Sequence, residues 1–223
     1  YYNVLSFDDI TCEVVGCNGI KTIIISEIVS YNNHNLTVIG IGENAFANSD
    51  MKDVTIPRSV KIYKTYGFFN CHLNSLHLEG LSEFCQIDFS GYYDNPLGLS
   101  ETVYFDGKEL QDLIIPEGVT KIGSNTFSGS KIQSLTIPNS VVSIGSGAFS
   151  HCNSLTSAII PAGVSKLGSY VFNSCSKFEK ISLPSTLKEM GGDIFTGGKL
   201  LECSVGCNNK FNQESSYNTL DSY

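Results

Sequence analysis

The sequence predicts a solenoid in which one side of every coil is a short strand of a parallel sheet. The first observation is a set of five positions that recurs at steps of 22, 23 and 23 residues, and a fixed period of this size is typical of stacked repeats. The second is an alternating apolar and polar run before each set, which predicts a half-buried strand. The recurring positions are Pro116, Val119, Ile122, Gly123 and Phe127; Pro138, Val141, Ile144, Gly145 and Phe149; Pro161, Val164, Leu167, Gly168 and Phe172; and Pro184, Leu187, Met190, Gly191 and Phe195.

Each position of the repeat has a structural role. Proline ends the strand because it has no N–H to donate to the sheet. The Val-x-x-Ile-Gly segment returns along a second side, and Phe packs inward from a short helical or 3-10 turn. No coil can bury these groups alone, so neighbouring coils must stack. The strand residues expected to point inward are Val54, Ile56, Leu113, Ile115, Leu135, Ile137, Ala158, Ile160, Ile181 and Leu183.

We expect one structural domain with three parts. Residues 1–35 differ from the repeats, and strand-like runs there predict an N-terminal β cap. Residues 36–195 form the repeats, with an irregular coil at about 81–112 in which Asp106-Gly107 predicts a hairpin. Residues 196–223 are expected to form a cap strand and a tail. In the second repeat, Tyr63 and Lys64 replace Ile and Gly, so either the glycine position does not require positive φ or this turn is remodelled.

Composition excludes several classes of partner. The 223 residues are 41% apolar and carry a formal net charge of −8. Such an acidic chain has no general attraction to nucleic-acid phosphates or to anionic membrane surfaces. No run approaches the roughly 18 apolar residues of a membrane span. The first residues resemble part of a folded domain and contain no signal peptide. A protein from which a signal peptide had been cleaved would begin in the same way.

Three of the eight cysteines follow the repeat. Cys71, Cys152 and Cys175 each lie three residues after a repeat Phe, where other copies have Ser or Gly. This pattern predicts small, buried, reduced thiols. Bridges between Cys12 and Cys17, or between Cys203 and Cys207, stay open.

The sequence carries no recognisable catalytic or metal-binding motif, and we expect neither an enzyme nor a cofactor. His72 and His151 stand beside Cys71 and Cys152, and a histidine beside a cysteine can act as the base of a thiol nucleophile. The stronger interpretation is structural, because adjacent residues on a turn point apart.

The outward side of the strands is the candidate binding face. Its central row is His77, Tyr104, Ile114, Thr136, Ile159 and Ser182, beginning from Thr55. Outward apolar groups can mark a partner site, but they can also be scattered hydrophobes, or residues 81–98 can fold over them. Phe89, Tyr92 and Tyr93 are a second aromatic candidate, for which internal packing is the preferred alternative.

The pattern I-P-x-x-V-x-x-I-G-x-x-x-F-x-x-C over residues 36–195 resembles that of BspA-like leucine-rich repeat proteins. The segment E-F-C-Q-I-D-F-S-G-Y-Y-D-N-P-L and the opening Y-Y-N-V-L-S are similar to segments of such proteins from anaerobic gut bacteria. The resemblance implies a right-handed leucine-rich repeat solenoid. It also implies a secreted or surface-attached bacterial protein whose signal sequence has been removed, with adhesion to host matrix or cells.

Two kinds of function remain open. The first is a monomeric binding module that recognises a protein, such as a host matrix component, through the strand face. The second is a glycan-binding module or a structural spacer. A glycan site would be expected to use Tyr92, Tyr93 or Tyr104 as a stacking platform.

Overall fold

The computed structural model describes residues 1–6, 11–16, 19–91 and 94–205. The chain divides into two compact units, Tyr1–Leu110 and Gln111–Tyr223. The first unit contains β1 (Tyr2–Ser6), β2 (Thr11–Val14), β3 (Thr22–Ile24), β4 (Ile28–Tyr31), β5 (His34–Ile41), β6 (Asp53–Ile56), β7 (Ile62–Tyr63), β8 (Leu73–Leu78), helix α1 (Leu81–Phe84), a 3-10 turn (Leu97–Leu99), β9 (Ser100–Phe105) and β10 (Lys108–Glu109). The second contains β11 (Asp112–Ile114), β12 (Lys121–Ile122), β13 (Ser134–Thr136), β14 (Ser143–Ile144), β15 (Ser157–Ile159), β16 (Lys166–Leu167), β17 (Lys180–Leu183), β18 (Glu189–Met190) and β19 (Glu202–Val205).

The first unit has two five-stranded sheets. In one, β1 pairs antiparallel with β2, and β5 lies between β2 on one side and β4 and β7 on the other. In the other, β3, β6, β8 and β9 are parallel, and β10 returns antiparallel to β9. Strands β1 and β2 thus form within the residues predicted as the N-terminal cap, whereas the boundaries 1–35, 36–195 and 196–223 stay predictions.

The second unit follows the predicted coil most closely. On one side, the two-residue strands β12, β14, β16 and β18 form a parallel sheet. On the other, β11 pairs with β13, and β15, β17 and β19 pair with one another, all in parallel. Each coil therefore contributes one strand to each side, which confirms the predicted solenoid architecture.

The repeat phenylalanines form the centre of the core in the second unit. Phe127, Phe149 and Phe172 are fully buried. Successive rings lie 5.6 Å apart at angles of 6° and 10°, and Phe195 continues the stack 6.4 Å from Phe172. In the first unit, Phe46 and Phe68 lie 5.2 Å apart but are tilted by 39°. One large side chain per coil thus packs against its equivalent in the next.

The backbone around each Phe has a repeated conformation. The residues two before and two after Phe have positive φ, and they include Asn44, Asn48, Tyr66, Asn70, Asn125, Gly129, Gly147, His151, Tyr170, Ser174, Asp193 and Gly197. The repeat glycines do not need positive φ. A Cβ on Gly145 or Gly168 would come within 2.5 or 2.4 Å of a backbone nitrogen of the preceding coil, so glycine is required there for close stacking.

Tyr63 and Lys64, which replace the repeat Ile and Gly, each contact side chains outside the regular repeats. The ring of Tyr63 lies 4.9 Å from Phe89 and 6.4 Å from Phe84, so the aromatic residues of the irregular coil pack against it. Lys64 Nζ lies 2.8 Å from the buried Glu13 Oε2. The predicted hairpin after β9 forms, with Asp106 at φ 48° and Gly107 at φ 79°.

Candidate functional site

The outward row of the second unit contains two isoleucines that the structure leaves exposed. Ile114 on β11 is 64% exposed and Ile159 on β15 is 72% exposed. Thr136 lies beside Ile114 on the paired strand β13, and Ser182 lies beside Ile159 on β17. These four predicted residues therefore do lie on the outward side of strands, although no contact in the structure assigns them a function.

The strand ladder of this face is interrupted between β13 and β15. Within residues 111–205, β11–β13, β15–β17 and β17–β19 are paired, whereas β13 and β15 belong to different sheets. A cavity of about 380 Å³ lies at this junction. We define the β13–β15 cleft by its lining residues: Gln133, Ser134, Leu135, Thr136, Ile137, Thr156, Ser157, Ala158, Ile159 and Pro161.

The first unit presents an aromatic pair in the equivalent row. His77 on β8 and Tyr104 on β9 are cross-strand neighbours, and their rings stack at 4.6 Å with an angle of 4°. Each ring covers one face of the other, which halves the ring surface that a sugar could stack on.

Ile24 extends the row of the first unit and was missed by the sequence reasoning. It pairs in register with Thr55, which in turn pairs with His77, and it is 73% exposed. The run of β-branched residues at Thr22–Ile25 was the available signal. The step from Thr22 to Asp53 is 31 residues, so counting by the repeat period did not reach it.

The neighbouring polar row is occupied by its own hydrogen bonds. Asp53 accepts from Ser75 Oγ at 2.7 Å and from Thr22 Oγ1 at 3.3 Å. In the second unit Ser134 donates to Asp112, and Lys180 Nζ donates to Glu202 Oε1 at 3.1 Å. Because these charges have partners within the face, the exposed Ile114 and Ile159 of the central row are its most accessible apolar surface.

One member of the second aromatic candidate is buried. Phe89 is 2% exposed and packs against Tyr63 and Phe84, as the alternative of internal packing proposed. Phe89 is therefore unavailable to a partner. Tyr92 and Tyr93 lie outside the described residues.

The repeat cysteines are buried thiols, which confirms their structural interpretation. Cys71, Cys152 and Cys175 donate from Sγ to the carbonyls of Phe46, Phe127 and Phe149 at 2.9, 3.3 and 3.1 Å. Each thiol therefore satisfies a carbonyl of the preceding coil. Burial raises the pKa of the Cys152 thiol well above its usual range, which disfavours a nucleophilic thiolate beside His151.

The two disulfide bridges that the sequence left open each involve one cysteine outside the described residues. Cys12 and Cys203 are described and are free thiols, whereas their candidate partners Cys17 and Cys207 lie outside the described residues. Among the residues that the structure does describe, no three His, Cys, Asp or Glu side chains come together as a metal site would need. The helices found in that same part of the chain are all too short or too polar to cross a bilayer.

Comparison with known proteins gives a family and a fold. The sequence profile of the BspA type leucine rich repeat region matches residues 16–94 and 100–222 in six copies. A comparison with curated proteins finds no match.

Three solved structures are similar at low sequence identity. A leucine-rich repeat protein from Bacteroides ovatus is 19% identical with a TM-score of 0.52, and the match covers 90% of this chain and 56% of that one. A leucine rich cell surface protein from Faecalibacterium prausnitzii is 18% identical with a TM-score of 0.53, over 91% of this chain and 74% of that one. The leucine-rich repeat protein of T. pallidum is 19% identical with a TM-score of 0.50, over 88% of this chain and 85% of that one. At these identities the likeness shows the fold, and this chain spans little more than half of the B. ovatus protein.

Proposed function

Because the chain belongs to the BspA-type leucine-rich repeat family, we propose that it is a protein-binding module of a secreted or cell-surface bacterial protein. It acts by binding and not by catalysis, as a monomer, with host matrix or a host cell surface as the setting. The cell-surface description of the F. prausnitzii protein supports this location.

The observation that carries the proposal is the contrast between the two outward rows. Polar side chains of one row are paired with each other, from Asp53 with Ser75 to Lys180 with Glu202. Ile114 and Ile159 of the other row have most of their surface in water. Covering a fully exposed Ile side chain contributes about 1.5–3 kcal/mol, so this row is where a protein partner would gain most.

Glycan binding is the weaker alternative. Sugar recognition commonly uses a flat aromatic face next to polar groups. The stack of His77 on Tyr104 occupies one face of each ring, and Ile114 and Ile159 are aliphatic. The protein-binding proposal is therefore preferred for the second unit in particular.

The test is a binding panel of host extracellular-matrix proteins against the immobilised chain, measured by interferometry. We expect at least one member to bind, and Ile114→Glu with Ile159→Glu to weaken that binding at least tenfold. Val142→Glu is the matched control, because Val142 is also half exposed but directly precedes β14 on the other side of the coil. Absence of binding to every member, or equal binding by the double variant, would contradict the proposal.

A further inference from the structure

We infer that the first unit binds a proline-rich segment of a partner protein in a cleft that strands β1 and β4 line together. This site is separate from the strand face of the proposed function, so either can fail without the other. The cleft has a volume of about 390 Å³, within the roughly 300–1,000 Å³ of small-ligand sites. We define the β1–β4 cleft by its lining residues: Tyr2, Asn3, Val4, Val29, Ser30, Tyr31 and Leu36.

Two tyrosines supply the aromatic surface of the cleft. Tyr2 on β1 is 44% exposed and Tyr31 on β4 is 52% exposed. The Tyr2 hydroxyl forms a hydrogen bond with the backbone of Ser26, which restrains the position of its ring. Both tyrosines are therefore accessible to a ligand, and that of β1 is held in place by the fold.

The register of β1, β2 and β5 places Tyr2 on the same face of the sheet as the buried Leu36. Paired residues of neighbouring strands point to the same side, and successive residues of one strand alternate. Val4 is paired with Cys12, and Cys12 is paired with Val38. Tyr2 lies two residues before Val4, and Leu36 lies two residues before Val38, so all of them face one side.

Strand β4 brings its side chains to the same face. Val29 is paired with Leu36, and Tyr31 lies two residues further along β4. The two tyrosines therefore share a face with two half-buried valines and with Leu36, which is buried. This arrangement gives the cleft an apolar floor between two aromatic side chains.

The remaining polar side chains of the lining do not share this face. Asn3 and Ser30 alternate with the tyrosines along β1 and β4, so they face the other side of the sheet and contribute to the cleft at its rim. Asn3 Nδ2 donates to Glu13 Oε1 at 3.3 Å. Ser30 Oγ donates to Asn35 Oδ1 at 2.7 Å. Since all seven lining residues are uncharged, the face of the cleft presents apolar surface and phenol hydroxyls.

This chemistry favours proline over other uncharged ligands. A sugar carries several hydroxyl groups, and each one that is removed from water without a partner costs free energy. Proline has an apolar ring and no backbone N–H, so it brings no donor that the cleft must satisfy. The carbonyl oxygens of a proline-rich segment can accept from phenol hydroxyls, and aromatic-lined grooves recognise such segments in the polyproline II conformation.

The test is a titration of the blocked peptide acetyl-hexaproline-amide into the isotopically labelled chain, followed by NMR. We expect the ring signals of Tyr2 and Tyr31 and the methyl signals of Val29 and Leu36 to shift. A blocked hexapeptide of alternating alanine and serine, which has all its N–H groups, should bind at least tenfold more weakly, and so should methyl β-glucoside. Equal binding of either control, or absence of hexaproline binding at these residues, would overturn the inference.

Variants connect the binding to the cleft. Tyr31→Ala should weaken hexaproline binding at least tenfold, and Tyr31→Phe, which keeps the ring, should weaken it less. Tyr170→Ala is the matched control and should leave binding unchanged, because Tyr170 is also half exposed but belongs to the second unit. Ile114→Glu with Ile159→Glu should leave it unchanged as well, which separates this site from the proposed function. Binding by Tyr31→Ala that equals binding by Tyr170→Ala would overturn the inference.

Discussion

Lys64 Nζ lies 2.8 Å from Glu13 Oε2, and this ion pair connects the turn after β7 with strand β2. The side chain of Glu13 is 5% exposed and that of Lys64 is 44% exposed. Asn3 Nδ2 donates to the other carboxylate oxygen of Glu13 at 3.3 Å. Lys64 stands where most repeats have glycine, and this departure from the repeat is matched by a buried carboxylate on β2, on the far side of β5 in the same sheet.

Replacing Lys64 by Met should destabilise the first unit, because it leaves the buried Glu13 carboxylate without its cation. Removing one partner of a fully buried pair costs about 3–5 kcal/mol, and we expect about 2 kcal/mol here since Lys64 is partly solvated. The measurement is the free energy of unfolding in urea. Lys166→Met is the matched control, because its pair with Glu189 is exposed on both sides and such pairs contribute about 0–1 kcal/mol. Equal losses in the two variants would show that the Glu13 carboxylate does not need Lys64.

Gly168→Ala should be strongly destabilising. A Cβ there would lie 2.4 Å from the backbone nitrogen of Ser146, and backbone cannot yield as a flexible side chain can. Overpacking of this kind typically costs about 1–3 kcal/mol and occasionally more. Gly192→Ala is the control, because a Cβ at Gly192 meets nothing within 4 Å. Thermal unfolding of both variants compares them, and similar melting temperatures would exclude close stacking as the reason for the glycine.

The repeated part of the fold could be predicted from the sequence because its burial follows a period. Phe127, Phe149 and Phe172 are all fully buried, as their shared repeat position indicates. The strand and the proline stop follow from local chemistry within one coil. The pairing of Lys64 with Glu13 could not be predicted, because it joins residues that are distant in sequence and belong to no repeating pattern.

The candidate site could be predicted only in part. The alternation of Ser134–Thr136 and Ser157–Ile159 correctly placed Thr136 and Ile159 outward, because alternation fixes the side of a strand. It carries no information about whether two neighbouring backbones form regular hydrogen bonds, so the missing β13–β15 pairing could not be predicted. The step between these strands is one residue longer than that between Asp112 and Ser134, which is 22. Step length alone does not explain the missing pairing, since β15 and β17 are also 23 residues apart in register and do pair.

The unfolding free energy should fall as pH rises above about 9, in part because of Cys85. Burial raises the pKa of this thiol from 9.0 to about 12. Between these values the unfolded thiol loses its proton while the folded one keeps it, so the folded state binds more protons and stability decreases with pH. The contribution approaches about 1.4 kcal/mol per pH unit.

The measurement is urea unfolding of the reduced chain from pH 7.5 to 9.7, compared with Cys85→Ala. The variant should lose less stability over the upper part of this range, whatever its absolute stability at pH 7.5. Parallel curves for the two proteins would mean that Cys85 ionises alike in the folded and unfolded states.

Tyr170→Asn should stabilise the second unit. Tyr170 has φ 62°, a left-handed conformation that costs an ordinary side chain about 1–2 kcal/mol, whereas Asn44, Asn125 and Gly147 hold the equivalent position in other coils. The backbone bond from Tyr170 N–H to the Gly192 carbonyl, at 3.0 Å, is available to any of these residues. We expect a gain of about 0.5–1 kcal/mol in the free energy of unfolding, smaller than the full strain because some ring contact is lost.

Tyr170→Ala separates the strain from the loss of the ring. Alanine removes the ring but keeps a Cβ in the left-handed conformation, so Tyr170→Ala should be less stable than Tyr170→Asn and than Tyr170→Gly by about 1 kcal/mol. If alanine and asparagine give the same stability in urea, the backbone conformation imposes no cost and the tyrosine contributes only through its ring.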